Sequence, residues 1–398
     1  MRSHMNGKSG IQRLLELEAD RQQSVINLVA SENYVSQDVL AALGSELTHK
    51  YSEGYPGARY YGGNRYADEV EEACCKAALK LMGLSADEWN VNVQALSGTP
   101  ANLAVYASAL GFNKEARIMG LALDHGGHLS HGFTASFTGK LWGQVPYFVD
   151  SKTEQLNYDE IHTLAQKHSP EVIVAGFTAY SRQVDFAKFR EIADSCGAHL
   201  HADISHIGGL VAARQHPSPF PWADTVMSTT HKTLRGPRSA VIWSRRDERE
   251  LGKLINRAIF PGLQGGPHMN QIAAAAIALE EARGSEFAEY ISLVLANAKT
   301  MADQLSRLGW RIVTGGTDTH LFLVDTWQAG SGVSGKEASD RLEQAGIIVN
   351  KNTIPNDERP ASDPSGIRIG TAAETTRGKS EKDMEEIAIR IDSILRKQ

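Results

Sequence analysis

Apolar and polar positions in the middle of the chain alternate between two periods, one typical of strands and one typical of helices. Short β-rich runs occur at residues 171–176, 199–203, 225–228 and 240–243. Between the first two runs, residues 186–195 show the 3.6-residue spacing of an amphipathic helix. Strands that alternate with helices predict βαβ units and a mostly parallel sheet covered on both faces, with functional side chains near the carboxyl ends of the strands.

The flanking segments predict two further parts of the molecule. Helical spacing over residues 10–28 predicts an N-terminal arm, and an Ala-rich stretch at 270–283 predicts a bridging helix. The following pattern predicts a smaller α/β unit and a terminal helix, with elements at residues 286–308, 320–325, 335–345 and 347–350. We therefore divide the chain into an arm at 1–30, a large domain at 31–280 and a small C-terminal domain at 281–398. The first five residues resemble a cloning scar and are set aside.

Composition narrows the classes of function. The chain has 398 residues, a net charge of −6 and 41% apolar residues, which indicates a soluble protein large enough for two packed domains. The net charge gives no broad footprint for nucleic acid, and no apolar run is long enough for a membrane helix, so we expect neither partner. The three cysteines, Cys74, Cys75 and Cys196, favour a reduced, cytoplasmic chain. No CxxC spacing occurs, so we expect no metal.

One glycine pattern does not fit its usual function. Residues 330–335 match GxGxxG, and Lys336 follows them. The dinucleotide fingerprint needs its first glycine directly after a strand, but four residues separate Gly330 from the predicted strand. The phosphate loop of nucleotide hydrolases needs Ser or Thr after its lysine, where this chain has Glu337. We interpret the segment as a flexible loop that enters a helix.

Three separate segments carry residue types that suit one kind of cofactor chemistry. Lys232 follows a predicted strand, where burial lowers the pKa of an amine and makes it a nucleophile for Schiff-base formation. Asp203 ends another strand and could pair with the protonated ring nitrogen of pyridoxal phosphate (PLP). Ser97, Gly98 and Thr99 open an apolar helix whose first amides suit a phosphate. Taken singly, Lys232 is more typical of a solvated surface lysine. Asp203 is as typical of a helix cap or a metal ligand, and Ser97 to Thr99 are as typical of an ordinary N-cap. Along the chain, the phosphate segment comes first, Asp203 second and Lys232 third, which is the order found in fold-type-I PLP enzymes.

A histidine-rich stretch contains His125, His128 and His131. The three residues lie on a glycine loop rather than on one face of a helix, and no second group of ligands accompanies them. This spacing disfavours a metal site. A flat imidazole over an aromatic cofactor ring is the better interpretation.

The chain closely resembles the serine hydroxymethyltransferases from about residue 28 to its C-terminus. The matching motifs are residues 30–33, 51–63, 126–129, 203–206, 229–238, 260–267, 350–352 and 365–370. The resemblance implies a fold-type-I PLP-dependent transferase, with a mostly parallel seven-stranded sheet in the large domain and a smaller C-terminal α/β domain. It also implies the reversible conversion of L-serine and tetrahydrofolate to glycine and 5,10-methylenetetrahydrofolate.

The resemblance implies a role in cofactor binding for residues of several motifs. Lys232 would hold PLP as a Schiff base, Asp203 would pair with its ring nitrogen, and His128 would stack on the ring. Thr178 and His206 would bond the side of the phenolic oxygen. The phosphate would be held by Ser97, Gly98 and Thr99, together with Tyr51, Gly265 and Gly266 contributed by a partner subunit.

The same resemblance implies how the substrates bind. Arg368 would clamp the amino-acid carboxylate bidentately, a geometry that lysine lacks, with help from Ser31. Glu53, also contributed by the partner, would lie by the substrate hydroxyl and the folate and act in proton transfer. Other residues near the reacting groups would be Tyr61, Thr229 and His231. The pterin site would be lined by Leu123, Gly127, Leu129 and Asn352. Shared sites imply an obligate homo-oligomer, at least a homodimer.

Several positions differ from the usual family pattern. They are Ala58, Leu96, Ala372, Glu374 and the segment 358–364. These differences bear on folate affinity and on the conformation of the loop beyond Arg368. None of them lies in the lysine motif. Two alternatives stay open: a PLP aldolase that acts on β-hydroxy amino acids without folate, and a catalytically silent homologue that binds nucleic acid or a partner enzyme. Leu123, Leu129, Asn352 and Glu53 argue against the aldolase, while Glu374 keeps it open. The joint presence of Lys232, Asp203 and Arg368 argues against the silent homologue.

Overall fold

The described N-terminal part of the molecule contains three α-helices and three two-residue strands. The computed structural model describes residues 9–327 and 332–396, so the cloning-scar residues and Gly330 and Ser331 of the glycine pattern lie outside the described residues. The first elements are α1 (Gly10–Ser24), β1 (Ile26–Asn27), α2 (Gln37–Leu43), β2 (Gly54–Tyr55), β3 (Ala58–Arg59) and α3 (Arg65–Met82). α1 ends before the predicted end at residue 28, because Val25 is extended and leads into β1.

A seven-stranded sheet forms the centre of the molecule. Its strands are β4 (Trp89–Asn92), β5 (Arg117–Leu121), β6 (Gly143–Tyr147), β7 (Val172–Gly176), β8 (His199–Asp203), β9 (Thr225–Thr229) and β10 (Ala240–Arg245). The spatial order is β4-β10-β9-β8-β7-β5-β6, and β10 alone runs antiparallel to its neighbours. The predicted mostly parallel sheet of seven strands is therefore confirmed.

Helices cover both faces of this sheet. They are α4 (Gly98–Leu110), α5 (Phe137–Leu141), α6 (Tyr158–His168), α7 (Phe186–Cys196) and α8 (Gly208–Ala212). Every residue of β7, β8 and β9 is buried, as expected for parallel strands packed on two sides. One core contains Phe189 and Trp243, and a second on the α4 side contains Tyr106 and Ile118. The carboxyl ends of the three strands thus meet at one protected edge.

Three further helices connect the large sheet to the C-terminal part. They are α9 (Leu251–Arg257), α10 (Met269–Glu281) and α11 (Ser285–Arg307), with a π-helical turn (Ala258–Leu263) after α9. The first half of α11 places Phe287 and Ile291 in the main core. Its second half places Met301 and Leu305 in a separate C-terminal core. One helix therefore belongs to both cores, and the domain division after residue 280 stays a prediction.

The C-terminal part is a four-stranded antiparallel sheet covered by helices. Its elements are β11 (Arg311–Ile312), β12 (Leu321–Asp325), α12 (Gly335–Gln344), β13 (Ile347–Ile348), β14 (Asn350–Asn352), β15 (Gly366–Gly370), α13 (Ala372–Thr376) and α14 (Glu381–Arg396). The sheet order is β11-β12-β15-β14. The single strand predicted at 347–350 is wrong in detail, because the chain changes partners at Val349 and forms two strands in different sheets.

The segment after α1 joins this C-terminal part. β1 pairs in parallel with β13, with Ile26 opposite Ile347. The Leu28 side chain is fully buried in the C-terminal core, and its main-chain oxygen accepts a hydrogen bond from the amide of Gly370 at 2.8 Å. Part of the predicted N-terminal arm is thus a structural element of the C-terminal unit. Among the described helices, none is long and apolar enough to cross a membrane.

Candidate active site

A cavity of about 120 Å³ lies at the carboxyl ends of β7, β8 and β9. Parallel α/β sheets place ligands at this edge because the loops that leave the strands converge there. The predicted site residues that line the cavity are Ser97, Gly98, Thr99, His128, Thr178, Asp203, His206, Thr229, His231 and Lys232. They come from distant segments of the chain, so the fold brings together the residues that the sequence singled out for cofactor binding.

Lys232 reaches the cavity from the turn that follows β9. Its Nζ donates a hydrogen bond to Thr229 Oγ1 at 2.9 Å. The surrounding protein atoms lower the pKa of the amine to about 8, against the opposing effect of the Asp203 carboxylate and with help from the Arg368 charge. A large fraction of the amine is therefore neutral near pH 8, which is the state that attacks an aldehyde.

Asp203 ends β8 at the floor of the cavity and accepts three hydrogen bonds. Its Oδ2 accepts from Nε2 of His131 and from Nδ2 of Asn102, both at 2.9 Å, and its Oδ1 accepts from the amide of Ser205 at 3.0 Å. Burial raises the pKa of this carboxyl, but the contacts with His131 and Ser205 outweigh burial and hold the pKa well below its usual range. Asp203 is thus a buried, ionised acceptor that faces Lys232 across the cavity.

The first turn of α4 borders the same cavity. Ser97 is the N-cap residue, and its side chain makes no capping hydrogen bond, so no side chain of α4 occupies the amides of the first turn. A Cβ at Gly98 would lie 2.8 Å from Cγ2 of Thr229, which explains why glycine allows the helix to start so close to β9. Free amides at the start of a 13-residue helix suit a phosphate group.

Arg368 enters the site from β15 of the four-stranded sheet. Its Nε donates to Asn350 Oδ1 at 3.0 Å, and its Nη1 donates to the main-chain oxygen of Thr178 at 2.8 Å. The residue is only 6% exposed, and burial lowers the pKa of its guanidinium to about 10. No carboxylate of the described residues forms an ion pair with it. A buried cation without a counterion is a natural receptor for an anionic ligand.

Three histidines around the cavity are neutral near pH 7. Burial is the main cause in each case, and it lowers the pKa of His128 to about 4, that of His231 to about 3 and that of His206 well below its usual value. Ser130 Oγ lies 2.7 Å from Nδ1 of His128, and the His206 ring stacks on His320 with centroids 5.5 Å apart. These rings serve as surfaces and hydrogen-bond partners rather than as charges.

Five predicted site residues lie together elsewhere, in a group that we call the tyrosine cluster: Tyr51, Glu53, Tyr61, Gly265 and Gly266. Tyr51 Oη donates to Glu53 Oε1 at 3.4 Å, and the Tyr51 and Tyr61 rings meet edge to face at 5.2 Å. A Cβ at Gly265 would lie 3.2 Å from Glu53 Oε1. None of the five lines the Lys232 cavity, and Tyr51 is 56% exposed. Within one chain, the tyrosine cluster is a surface feature.

The predicted pterin residues and Ser31 lie around the cavity rather than in it. Leu129 is 50% exposed, and Asn350 Nδ2 donates to Asn352 Oδ1 at 3.4 Å, which connects Asn352 to the residue that holds Arg368. Gly127 packs so closely on the end of β5 that a Cβ would lie 1.9 Å from the Leu121 oxygen. The remaining pterin residue, Leu123, is half-buried in the turn after β5. Ser31 borders a neighbouring cavity of about 390 Å³, whose wall also contains His231 and Arg238.

Sequence reasoning missed several residues that organise the site. Asn102 and His131 hold Asp203, and Asn350 holds Arg368. Asn102 was visible as an isolated polar residue on the apolar face of a helix, and His131 as the last histidine of a stretch weighed for metal binding. Across the described residues, no group of three or more His, Cys, Asp or Glu is arranged to hold a metal ion.

Glu374, one of the departures from the family pattern, does not point into the site. It is buried, and its Oε1 accepts from the amide of Asn27 at 2.9 Å and from Nη1 of Arg377 at 3.1 Å. Its carboxylate therefore fastens β1 to α13. This location removes the reason for linking Glu374 to a different substrate preference.

Comparisons with known proteins agree with the site. The family model for serine hydroxymethyltransferase matches residues 6–391. One curated relative, a "putative serine hydroxymethyltransferase, mitochondrial" from Neurospora crassa, is 48% identical over 401 aligned residues, which cover 95% of this chain and 72% of the relative. The family consists of fold-type-I enzymes that depend on PLP and use tetrahydrofolate.

The expected cytoplasmic location is contradicted by this comparison. The Neurospora relative is mitochondrial by name. The expectation rested on three cysteines, which are free in the structure. Three unpaired cysteines do not distinguish one reducing compartment from another.

The predicted function, an enzyme that transfers the hydroxymethyl group of serine, is confirmed by both comparisons. The matched range includes every motif on which the resemblance rested, from the segment at 30–33 to the strand that carries Arg368. The cavity at the sheet edge is lined by residues of those motifs. The chain belongs to the serine hydroxymethyltransferase family.

Proposed function

We propose that this cavity binds PLP covalently through Lys232 and that the enzyme uses it to interconvert serine and glycine. The observation that carries this assignment is that two buried basic side chains and one ionised carboxylate occur together around one cavity. Lys232 and Asp203 face each other inside the cavity, while Arg368 lies at its side without a counterion. When bound, PLP supplies an electron sink that stabilises negative charge on the substrate carbon.

The residues present fit this cofactor at three separated points. The free amides of the α4 first turn suit its phosphate, and Lys232 suits its aldehyde. Asp203 suits its ring nitrogen, because an ionised carboxylate holds a proton on that nitrogen. Neutral His128 offers a flat surface to the ring, and His206 and Thr178 border the remaining edge. Thr229 and His231 orient the Lys232 amine by hydrogen bonding and packing.

Arg368 is assigned to the carboxylate of the amino-acid substrate. Its guanidinium is fixed by Asn350 and by Thr178, and the unused Nη2 has no protein partner among the described residues. A planar guanidinium donates two parallel hydrogen bonds to a carboxylate, which orients the substrate as well as binding it. Ser31, which borders the adjoining cavity, is assigned a supporting contact with the same carboxylate.

Tetrahydrofolate is assigned to the rim formed by Leu123, Gly127, Leu129 and Asn352. Leu129 exposes a large apolar side chain and Asn352 supplies a polar amide, and these two kinds of group suit a flat heterocycle with polar edges. Gly127 lets the loop that carries Leu129 pack directly on the end of β5, where any Cβ would clash with the Leu121 oxygen. The folate then lies over the opening of the cavity, where it can accept the one-carbon unit that leaves serine.

The tyrosine cluster is assigned to the active site of a second subunit, so that the enzyme works as a homodimer or a larger assembly. Its tyrosines are half-exposed, although they lie next to each other and next to Glu53. α1 also exposes large apolar side chains, including Ile11 and Leu15, which supports a subunit contact. In this arrangement Tyr51, Gly265 and Gly266 approach the phosphate, Tyr61 lies near the substrate, and Glu53 moves a proton at the serine hydroxyl.

A spectroscopic comparison of two lysine variants tests the assignment. Wild-type protein with added PLP is expected to gain a visible band that shifts with glycine, and borohydride reduction is expected to attach the cofactor to the peptide that contains Lys232. Lys232→Ala should lose both signals, while Lys188→Ala, a change at an exposed lysine, should keep them. Cofactor found on a different lysine would refute the assignment. Serine consumption that proceeds equally well without tetrahydrofolate would refute the folate role.

A further inference from the structure

A buried hydrogen-bonded path runs from the carboxylate of Asp203 through three residues to the buried ring of His199. It begins at Asp203, whose Oδ2 accepts from Nδ2 of Asn102 at 2.9 Å. Asn102 is fully buried, and its Oδ1 lies 2.9 Å from Nε2 of His201. The path continues from Nδ1 of His201 to Thr225 Oγ1 and from there to Nε2 of His199, each over 2.8 Å. The proposed mechanism uses Asp203 but none of the other residues.

The chemistry of Asn102 fixes the direction of the first two hydrogen bonds. An ionised carboxylate can only accept, so the amide nitrogen of Asn102 must face Asp203. The same nitrogen also donates to Ser130 Oγ at 2.9 Å. The carbonyl oxygen of Asn102 must then face His201, and since it only accepts, His201 must carry a proton on Nε2.

Burial determines the direction of the remaining hydrogen bonds, because it keeps both histidines neutral. It lowers the pKa of His201 to about 3, so the neutral ring has no proton on Nδ1 and accepts there from the Thr225 hydroxyl. The Thr225 hydroxyl donates its hydrogen bond to His201, so its oxygen accepts from Nε2–H of His199, whose pKa burial lowers to about 4. Every hydrogen bond in the path therefore donates toward Asp203.

The outer end of the path is His199, which lies near Asp224 without a hydrogen bond to it. Nδ1 of His199 lies 3.8 Å from Asp224 Oδ2, and it has no hydrogen-bond partner. Asp224 is paired with Arg190 at 3.0 Å and with Arg249 at 3.2 Å, and Asp247 is the remaining charged group near His199. The two arginines keep the Asp224 charge balanced, so a neutral His199 can face it. His201 in turn faces Asp203 and His131 and packs edge to face on Tyr106 at 5.7 Å.

We propose that His201, Thr225 and His199 are positioning residues that orient Asn102 and polarise its hydrogen bond to Asp203. This inference rests on the proposed function, because it assumes that Asp203 serves the ring nitrogen of PLP. Aligned hydrogen bonds strengthen one another in a low-dielectric interior. The path thus stabilises the carboxylate of Asp203 without placing a net charge beside it, which favours a protonated cofactor ring.

Histidine tautomers measured by nitrogen NMR on the cofactor-free protein test the direction of the path. From about pH 6 to about pH 8, His201 and His199 are expected to stay neutral, with the proton on Nε2. The difference spectra of His201→Gln and His199→Gln assign the two signals. A proton on Nδ1 of His201, or titration of His201 within this range, would overturn the proposal whether or not PLP binds.

Cofactor binding tests what the path does. Thr225→Val removes the central hydroxyl while keeping the shape of the side chain, and His201→Met removes both ring nitrogens. Each is expected to weaken PLP binding roughly tenfold and to change the pH dependence of the bound cofactor's visible spectrum. His201→Gln, which retains a donor and an acceptor, should restore both properties toward wild type. His216→Met, a change at a buried histidine outside the path, serves as the control and should alter neither.

The outcomes separate this proposal from the proposed function. Wild-type affinity and an unchanged spectrum in both Thr225→Val and His201→Met would refute the positioning role while leaving the assignment of Lys232 intact. Failure of the wild-type protein to bind PLP would instead refute the proposed function, and this inference with it. Should the His201→Met protein not fold, Thr225→Val and the tautomer measurement each decide the question.

Discussion

Nη1 of Arg368 donates to the main-chain oxygen of Thr178 at 2.8 Å, which joins a strand of the four-stranded sheet to the loop after β7 of the seven-stranded sheet. The site is therefore assembled from both sheets. Asn350, on the strand next to β15, holds Nε of the same guanidinium at 3.0 Å. In the proposed assignment of Arg368, the position of the substrate carboxylate is thus set by how the C-terminal part packs against the large sheet.

Arg368→Lys should separate substrate binding from cofactor binding. A lysine ammonium cannot make two parallel bonds to a carboxylate, so the KM for serine is expected to rise roughly 10- to 100-fold, while the affinity for PLP stays within about twofold of wild type. Steady-state kinetics and a spectroscopic PLP titration measure the two quantities. Arg65→Lys, at an exposed helix position, is the matched control. An unchanged KM would show that Arg368 does not bind the substrate.

The depressed pKa of Lys232 predicts the pH dependence of cofactor capture. Only the neutral amine attacks the aldehyde, and burial is what favours this form. Below about pH 8 the rate of capture by the cofactor-free protein should rise about tenfold per pH unit, and above it the rate should level off. Stopped-flow absorbance gives the profile. A rate that keeps rising to about pH 10, as for a free lysine side chain, would contradict a lowered pKa.

Mixing two inactive variants tests the shared active site. Lys232→Ala removes the lysine assigned to the cofactor, and Glu53→Gln alters the tyrosine cluster, so each variant alone should be inactive. If the cluster serves the neighbouring subunit, dimers formed by co-refolding both variants contain one intact site, and about a quarter of wild-type activity should return. A mixture as inactive as its parents would mean that each site is built from a single chain.

Glu374 should matter for stability rather than for catalysis. Glu374→Ala leaves the amide of Asn27 without an acceptor inside the protein and is expected to lower the free energy of unfolding by about 1–3 kcal/mol. Glu374→Gln keeps an acceptor and should lose less. Urea denaturation measures the change, with Glu385→Ala at an exposed position of α14 as the control. A strong effect of Glu374→Gln on the KM for serine would contradict a purely structural role.

Much of the central sheet was predictable because strands buried on both faces have a strong sequence pattern. β8 occupies the predicted residues 199–203, and β9 extends the prediction by one residue to Thr229. Asp203 and Lys232 could be placed at one edge of the sheet because parallel strands present their carboxyl ends together. That argument needs strand order along the chain but no side-chain contact.

The contacts that tune the site were not predictable in the same way. The Asn102–Asp203 hydrogen bond depends on which face of α4 turns toward β8, and the path beyond it needs two histidines and a threonine on neighbouring strands to share one side of the sheet. The periodicity of one segment does not tell which residues of neighbouring strands lie side by side. Likewise, the predicted strand at 347–350 changes sheets in the middle, because its first half pairs with the distant β1.

That pairing has a consequence for biosynthesis. A ribosome releases Ile26 and Leu28 early, yet their partners on β13 and β15 are made about 320 residues or more later. Until then, the apolar residues at 26–28 stay exposed to solvent, although every strand of the large sheet has already been synthesised. The C-terminal core therefore forms last, and the apolar residues at 26–28 are exposed to aggregation until it does.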